Sequence, residues 1–126
     1  MIRPDDGQTK EDDRMKIAIP LADGKLTMHF GHCQRFALME VDPAENKILG
    51  REDLDPPPHQ PGVFPSWLAR QGAEVIIAGG MGRRAQELFQ GHGIRVVIGA
   101  PVETPERLAA DYLAGSLQTG ENICDH

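Results

Sequence analysis

The segment VIIAGGMGRRAQELFQGHGIRVVI, Val75–Ile98, decides the fold that we expect for this chain. It begins with the continuous apolar run Val75–Ala78, continues into a helical pattern, and ends with a second apolar run at Ile94–Ile98. Short apolar runs of this kind are typical of strands that are covered on both faces of a sheet. Since a helix lies between them, the two strands are predicted to be parallel and joined by a right-handed crossover.

The upstream sequence predicts three further strands. Lys16–Pro20 is a short apolar run, which is consistent with a buried central strand. The segments Arg35–Val41 and Lys47–Leu54 flank the turn-rich sequence DPAEN, and this arrangement favours a hairpin. The first three strands can therefore form an antiparallel meander on one side of the sheet.

Two more helices are predicted from their end signals. Pro65 suits the first turn of a helix that Gly72 ends, and Thr104 with Pro105 forms an N-cap and first-turn pair for a helix that Gly115 ends. The predicted order of elements is β-β-β-α-β-α-β-α. The expected fold class is α/β, with a mixed five-stranded sheet flanked by helices on both faces.

Length and composition predict one domain. The chain has 126 residues, of which 40% are hydrophobic, and these values suit a single core. We expect a disordered polar tail at residues 1–14 and one α/β domain at residues 15–126. The net charge of −6 argues against a general nucleic-acid binder. No apolar run approaches the roughly 20 residues that span a bilayer, and the N-terminus lacks the apolar centre of a signal peptide, so we expect a cytoplasmic protein.

A first candidate site lies in the loop predicted at Leu21–Gln34. Ligands in open α/β sheets bind beyond the carboxyl ends of the parallel strands, and long loops in compact domains are commonly functional. Its side chains include nitrogen and sulfur ligands that suit copper, iron or zinc, namely His29, His32 and Cys33. The spacing alone does not choose between a metal site, a histidine that bonds within its own loop, and a small buried cysteine.

The second candidate is the turn Gly79–Gly82 with the arginines that follow it. Backbone amides at a helix N-terminus can approach an anion closely, and Arg83 or Arg84 adds positive charge. The alternative is a tight turn between strand and helix, which glycines serve equally well. The sequence matches neither a phosphate-binding P-loop nor a GxGxxG dinucleotide motif.

The C-terminal sequence ENICDH offers two more metal ligands, Cys124 and His126, unless the terminus is simply frayed. In a reducing cytosol the chain's two cysteines, Cys33 and Cys124, are expected to be thiols rather than a disulfide. Neither belongs to a CxxC pair, so a closed zinc knuckle is not predicted. No GxSxG or HExxH motif occurs, and the sequence therefore indicates binding rather than catalysis.

Three stretches carry a resemblance to a known family: MKIAIP, HFGHCQRFALMEVD and AEVIIAGGMGRRAQELFQGHGIRVVIGA. From about Met15 to the C-terminus, the chain resembles the dinitrogenase iron–molybdenum cofactor biosynthesis family. That family includes nitrogenase accessory proteins and the molybdenum–copper orange protein of sulfate reducers. The segments PPHQPGVFPSWLARQGAEV and GENICDH are similar to the orange-protein branch, and to domains associated with cytosolic iron–sulfur-type P-loop ATPases.

The resemblance implies a ribonuclease H-like α/β fold without ribonuclease activity. It also implies that the domain binds or carries an anionic metal–sulfur cluster containing molybdenum, with copper or iron, as a non-catalytic accessory in cofactor biosynthesis. The family's binding region matches His29, Phe30 and Gly31 together with the turn Gly79, Gly80 and Gly82, whereas His32 and Cys33 fall in a more variable part of the pattern. Met28, Phe30 and Met81 are the expected apolar walls. The alternative is a module that binds a P-loop ATPase or regulatory partner.

Overall fold

The computed structural model describes residues 14–28, 33–58 and 62–120 of the chain. They form one mixed sheet with three helices. The strands are β1 (Met15–Ala22), β2 (Lys25–Leu26), β3 (Arg35–Asp42), β4 (Lys47–Leu54), β5 (Ala73–Ile77) and β6 (Arg95–Val97). The helices are α1 (Val63–Arg70), α2 (Arg83–Gly91) and α3 (Pro105–Ala114). Of the predicted tail, the described residues include only Arg14, and the rest lies outside them.

The sheet has β1 at its centre, as the apolar run in that strand predicts. Its order is β4-β3-β1-β5-β6, with the short β2 paired to β1. The β1–β3 and β3–β4 pairs are antiparallel, whereas β1–β5 and β5–β6 are parallel. The mixed sheet of five main strands and the predicted hairpin are therefore confirmed, and β2 adds a sixth strand.

The predicted loop Leu21–Gln34 is wrong over its first part, Leu21–Leu26. β1 extends to Ala22 and turns back into β2, with Leu21 opposite Leu26 and Ala22 opposite Lys25. Asp23 and Gly24 both have positive φ, at 57° and 82°, which is the backbone of a tight hairpin turn. The irregular part of this connection therefore begins only after Leu26.

Each face of the sheet buries its own hydrophobic cluster. On one face, Leu108 and Ala109 of α3 pack against β1, β3 and β5. On the other face, Phe64 and Leu68 of α1 and Phe89 of α2 pack against the side chains of β1, β3 and β5 that point to that face. Alternation along β1 divides its side chains between the two, since Ile17 and Ile19 belong to the first cluster and Ala18 to the second. The predicted layers of helices on both faces are confirmed.

The helix ends follow the predicted signals. The Arg107 backbone N–H donates to Thr104 Oγ1 over 3.3 Å, so Thr104 caps α3, and Gly115 ends it with a φ of 75°. Gly72, with a φ of 91°, follows the end of α1. Within the described part of the chain, no helix is long and apolar enough to cross a membrane.

Candidate functional site

The carboxyl ends of the parallel strands lie at the edge of the sheet where the strand order reverses. We call this edge the carboxyl edge. From β1 the chain continues to β3 on one side, while β5 and β6 lie on the other. The ends of β1 and β5 are therefore neighbours at a point of strand reversal, which is the usual ligand position in open α/β sheets. The connections after β1, β5 and β6 all begin at this edge.

The turn after β5 contacts the connection that follows β2. A Cβ added to Gly79 would lie 3.0 Å from the Met28 Cα and 3.2 Å from the Thr27 carbonyl oxygen. This contact is so close that only glycine fits without a shift of the neighbouring backbone. Since Met28 directly precedes the sequence HFGH, the glycine turn adjoins the start of that segment. His29, Phe30, Gly31 and His32 themselves lie outside the described residues.

The connection after β6 is bonded to the same turn. The Ala78 N–H donates to the Val97 carbonyl over 2.8 Å, and the Gly99 N–H donates to the Gly79 carbonyl over 2.8 Å. The chain beyond α3 returns to this point, where the Gly120 N–H donates to the Gly99 carbonyl over 2.6 Å. Backbone hydrogen bonds therefore join the connections after β5 and β6 to the last described residue.

A groove of about 470 Å³ opens at this edge. We call it the Met28 groove. Its walls are aliphatic side chains, short polar side chains and bare backbone, contributed by Met28, Gly99, Ala100, Pro101, Gln118, Thr119 and Gly120. Met28 is 36% exposed, whereas Met39 and Met81 are fully buried. The groove can therefore accept an apolar or polarisable group.

The start of α2 presents backbone donors and positive charge beside the turn. Gly82 precedes the helix in an extended conformation, and no side chain caps it. Arg83 and Arg84 are exposed. The Met81 side chain is fully buried in the cluster beneath α1 and α2. The prediction that Met81 is an apolar wall of the site is therefore wrong, because its side chain is part of the core cluster that contains Phe64 and Phe89.

Cys33 lies on the opposite face of the sheet from the α3 cluster. It is half-buried and packs against the cluster that contains Phe36 and Phe64. Burial raises the pKa of this thiol to about 11, so it is neutral at pH 7. This environment matches the alternative of a small buried cysteine better than that of a free thiolate ligand.

Of the five predicted metal ligands, only Cys33 lies among the described residues. Among the described residues, no group of three or more His, Cys, Asp or Glu side chains could hold a metal ion. His29, His32, Cys124 and His126 lie outside those residues, so a metal role for them stays a prediction.

One wall of the Met28 groove was not predicted from the sequence. Gly99, Ala100 and Pro101 follow β6, and residues 118–120 return beside them. The sequence Gly-Ala-Pro directly after a predicted strand was the available signal, because it ends the strand at the same edge as the glycine turn. The return of residues 118–120 had no such signal, since the sequence after α3 has no clear periodicity.

Residues 13–115 match the family described as dinitrogenase iron-molybdenum cofactor. The chain belongs to this family. The dinitrogenase cofactor family match covers both candidate segments at the carboxyl edge, and the family assignment made from the sequence motifs is confirmed. The chain is also 33% identical over 85 residues to MJ0580 of Methanocaldococcus jannaschii, an uncharacterized protein; this covers 65% of the present chain and 72% of that protein.

Two solved structures of similar fold add to this assignment. PH0822 superposes with a TM-score of 0.77 at 26% identity, covering 86% of this chain and 96% of that one. The apo form of the orange protein from Desulfovibrio gigas gives a TM-score of 0.65 at 25% identity, with coverage of 86% and 94%. The present chain is therefore similar, over most of its length, to an orange protein as well as to the wider family.

Proposed function

We propose that this domain binds an anionic metal–sulfur cluster at the carboxyl edge, between the glycine turn and the segment that begins at His29, and carries it without catalysis. The cluster contains molybdenum, with copper or iron. The observation that carries the proposal is the close approach of Gly79 to the backbone of Thr27 and Met28. Because of that approach, the glycine turn lies against Met28, the residue that directly precedes the His29–Gly31 part of the family's binding region.

The chemistry of the edge suits such a cluster. A thiometallate is a bulky, polarisable anion, and it needs positive potential and soft apolar contacts more than many direct ligands. The uncapped start of α2 supplies backbone N–H groups, Arg83 supplies charge, and the exposed Met28 supplies a thioether and an apolar surface. No atom lies within 4 Å of a Cβ added to Gly82, so an anion has room to reach the backbone there.

Binding fits this site better than turnover. The walls of the Met28 groove are backbone, aliphatic, thioether, hydroxyl and amide groups, none of which is a strong acid, a strong base or an activated nucleophile. The neighbouring Cys33 thiol is neutral and half-buried, so it is a poor nucleophile. A carrier needs only reversible retention of its cargo, and the groups present can supply that.

His29 is the side chain that we assign to direct contact with the cluster. It follows Met28 immediately, and it heads the segment that adjoins the turn. His32 and Cys33 are further candidates, of which Cys33 is the weaker because its thiol is half-buried against the α1 and α2 cluster. A metal role for Cys124 and His126 stays a prediction from the sequence.

Reconstitution tests the proposal. Apo protein is mixed anaerobically with tetrathiomolybdate and a copper salt, excess reagent is removed by gel filtration, and the retained visible absorption and metal content are measured. We expect stoichiometric retention by the wild type and strong loss in His29→Ala. His92→Ala is the matched control, because His92 is exposed at the far end of α2.

Retention that is equal in the wild type, His29→Ala and the control would contradict the assignment of His29. Retention in none of them, with tetrathiomolybdate and copper or with iron in place of copper, would contradict the carrier function itself. The predicted P-loop ATPase partner and the cytoplasmic location are separate proposals; the first is tested by pull-down from the native host and the second by fractionation.

A further inference from the structure

The Gln86 side chain reaches from α2 back to the glycine turn. Its Nε2 donates to the Met81 carbonyl over 2.9 Å in a partly buried position, and its backbone N–H donates to the Gly82 carbonyl over 3.1 Å. Because Met81 precedes the N-cap residue Gly82, its carbonyl lies outside the hydrogen-bond ladder of the helix. Gln86 therefore binds a carbonyl of the turn that the helix backbone does not reach.

This hydrogen bond fixes the orientation of the peptide group between Met81 and Gly82. The described peptide bonds are trans, and in a trans peptide the C=O and the N–H point in opposite directions. Since the Met81 carbonyl is directed at Gln86 Nε2, the Gly82 N–H is directed away from that side chain. The fully buried side chain of Met81 holds the same residue in place from the core.

The backbone at position 82 does not itself require glycine. Gly82 has a φ of −65° and a ψ of 157°, which any residue adopts, and no atom lies within 4 Å of an added Cβ. Reversal of the preceding peptide group would change the φ of Gly82 by about 180°, into the positive range that glycine adopts at little cost. Both orientations are therefore accessible to this turn, and the Gln86 hydrogen bond favours the observed one.

The two orientations present opposite partial charges at the start of α2. In the observed orientation, no described side chain caps the first N–H groups of the helix, so they can face an anion. In the reversed orientation, the Met81 carbonyl oxygen would turn toward the same space, and its partial negative charge would repel an anion. The direction of this peptide group therefore affects how strongly the turn attracts a negative charge.

We propose that Gln86 is the positioning residue of the candidate site: its side chain holds the Met81 carbonyl, so that backbone N–H groups rather than a carbonyl oxygen face the anion. The part that concerns the cluster rests on the proposed function, whereas the control of the peptide orientation does not. Gln86 acts through the Met81–Gly82 peptide group and makes no contact with the cluster, unlike Arg83, which supplies charge to it.

The peptide orientation is tested in the apo protein. Gln86→Met removes the amide donor and keeps a side chain of similar length, and Gln90→Met is the matched control because Gln90 is exposed one turn further along α2. In proton–nitrogen NMR correlation spectra, we expect the Gly82 amide resonance to move in Gln86→Met and to stay in place in Gln90→Met. A Gly82 amide that is unchanged in Gln86→Met would overturn the proposal. Gln86→Glu, which has the same shape as the wild-type side chain, gives the same comparison if Gln86→Met does not fold.

Cluster retention tests the consequence for binding. For tetrathiomolybdate with copper, we expect the dissociation constant to rise about fivefold in Gln86→Met, which corresponds to the loss of one net hydrogen bond. It should rise about tenfold or more in Gln86→Glu, because a carboxylate cannot donate to the Met81 carbonyl and adds negative charge beside the anion. Gln90→Glu places the same charge near the far end of α2 and should bind as the wild type does.

The two measurements separate the possible failures. A Gly82 amide that moves, while the Gln86 variants bind the cluster as tightly as the wild type, would contradict the positioning role. Equal losses in Gln86→Glu and Gln90→Glu, with no loss in Gln86→Met, would contradict it as well, because added charge alone would then explain the effect. Retention in neither the wild type nor any variant would contradict the proposed function, and the amide comparison would still decide whether Gln86 controls the peptide orientation.

Discussion

The outer strand of the antiparallel half and the carboxyl edge of the parallel half contact the segments beside them through different groups. Side chains join β4 to α3: Arg51 donates to Glu106 of α3 over 2.7 Å, and to Asp53 of its own strand over 2.7 and 2.9 Å. These groups are partly exposed, and a change in one of them can be accommodated by rotation of the others.

At the carboxyl edge, backbone meets backbone. Gly79 contacts the main chain of Met28, and Gly99 contacts that of Gly120. A methyl group added to either glycine cannot rotate away from the neighbouring main chain, so that main chain has to move. We therefore expect substitutions at the two glycines of the carboxyl edge to destabilise the fold more than the loss of the Arg51 ion pairs.

Gly99→Ala should have the largest effect. Gly99 has a φ of 80°, and its added Cβ would overlap the carbonyl group of Gly120. Backbone strain and overpacking together predict a loss of about 3 kcal/mol in the free energy of unfolding, measured by urea denaturation. Gly93→Ala is the control, since its φ is 79° but no atom lies within 4 Å of the added Cβ. Equal losses in the two variants would show that the contact with Gly120 contributes nothing.

Gly79→Ala should have an intermediate effect on stability. Its Cβ would lie 3.0 Å from the Met28 Cα, so the connection after β2 must shift by a few tenths of an ångström. We expect a loss of about 1–2 kcal/mol in the free energy of unfolding, together with weaker retention of tetrathiomolybdate and copper. Gly50→Ala in β4 is the control, because no atom lies within 4 Å of its added Cβ. If both variants behave as the wild type, the two segments do not depend on this contact.

Sequence patterns predicted the parts of this fold that depend on local signals. The apolar runs of β1 and β5, the cap at Thr104 and the hairpin over residues 35–54 each follow from neighbouring residues in the chain. The Asp23–Gly24 turn is also a local signal, but it lies inside the predicted loop Leu21–Gln34. The strand β2, which follows this turn and pairs with β1, has two residues and is too short to show a pattern of its own.

The candidate site was predictable only in part, because it depends on approaches between distant segments. The rule for strand ends placed the glycine turn and the segment at His29 at one edge, but it could not give the contact between Gly79 and Met28. Nor does the sequence show that Met81 turns inward, since an apolar residue in a glycine-rich turn suits a ligand wall and a core equally well. These distinctions require the backbone path in three dimensions.

Arg51→Met should have the smallest effect of the three, and it tests the ion pairs of Arg51. The substitution keeps the apolar stem and removes the ion pairs to Asp53 and Glu106, so we expect a loss of about 0.5–1 kcal/mol at pH 7 and low salt. Arg107→Met is the control, because the Arg107–Asp111 pair is a more exposed pair within α3 and should contribute about 0.3 kcal/mol.

The same variant has a predicted pH dependence. Arg51 holds the pKa values of Asp53 and Glu106 below their usual range, chiefly through its hydrogen bonds to both carboxylates. A carboxyl whose pKa is lower in the folded state stabilises the fold above its ordinary pKa of about 4, and this stabilisation is lost as the pH falls through the folded value. The difference between wild type and Arg51→Met should therefore be full at pH 7 and shrink below about pH 4. A difference that persists undiminished at about pH 2 would mean that Arg51 acts through packing of its stem, and that the antiparallel half, like the carboxyl edge, is held by contact rather than by charge.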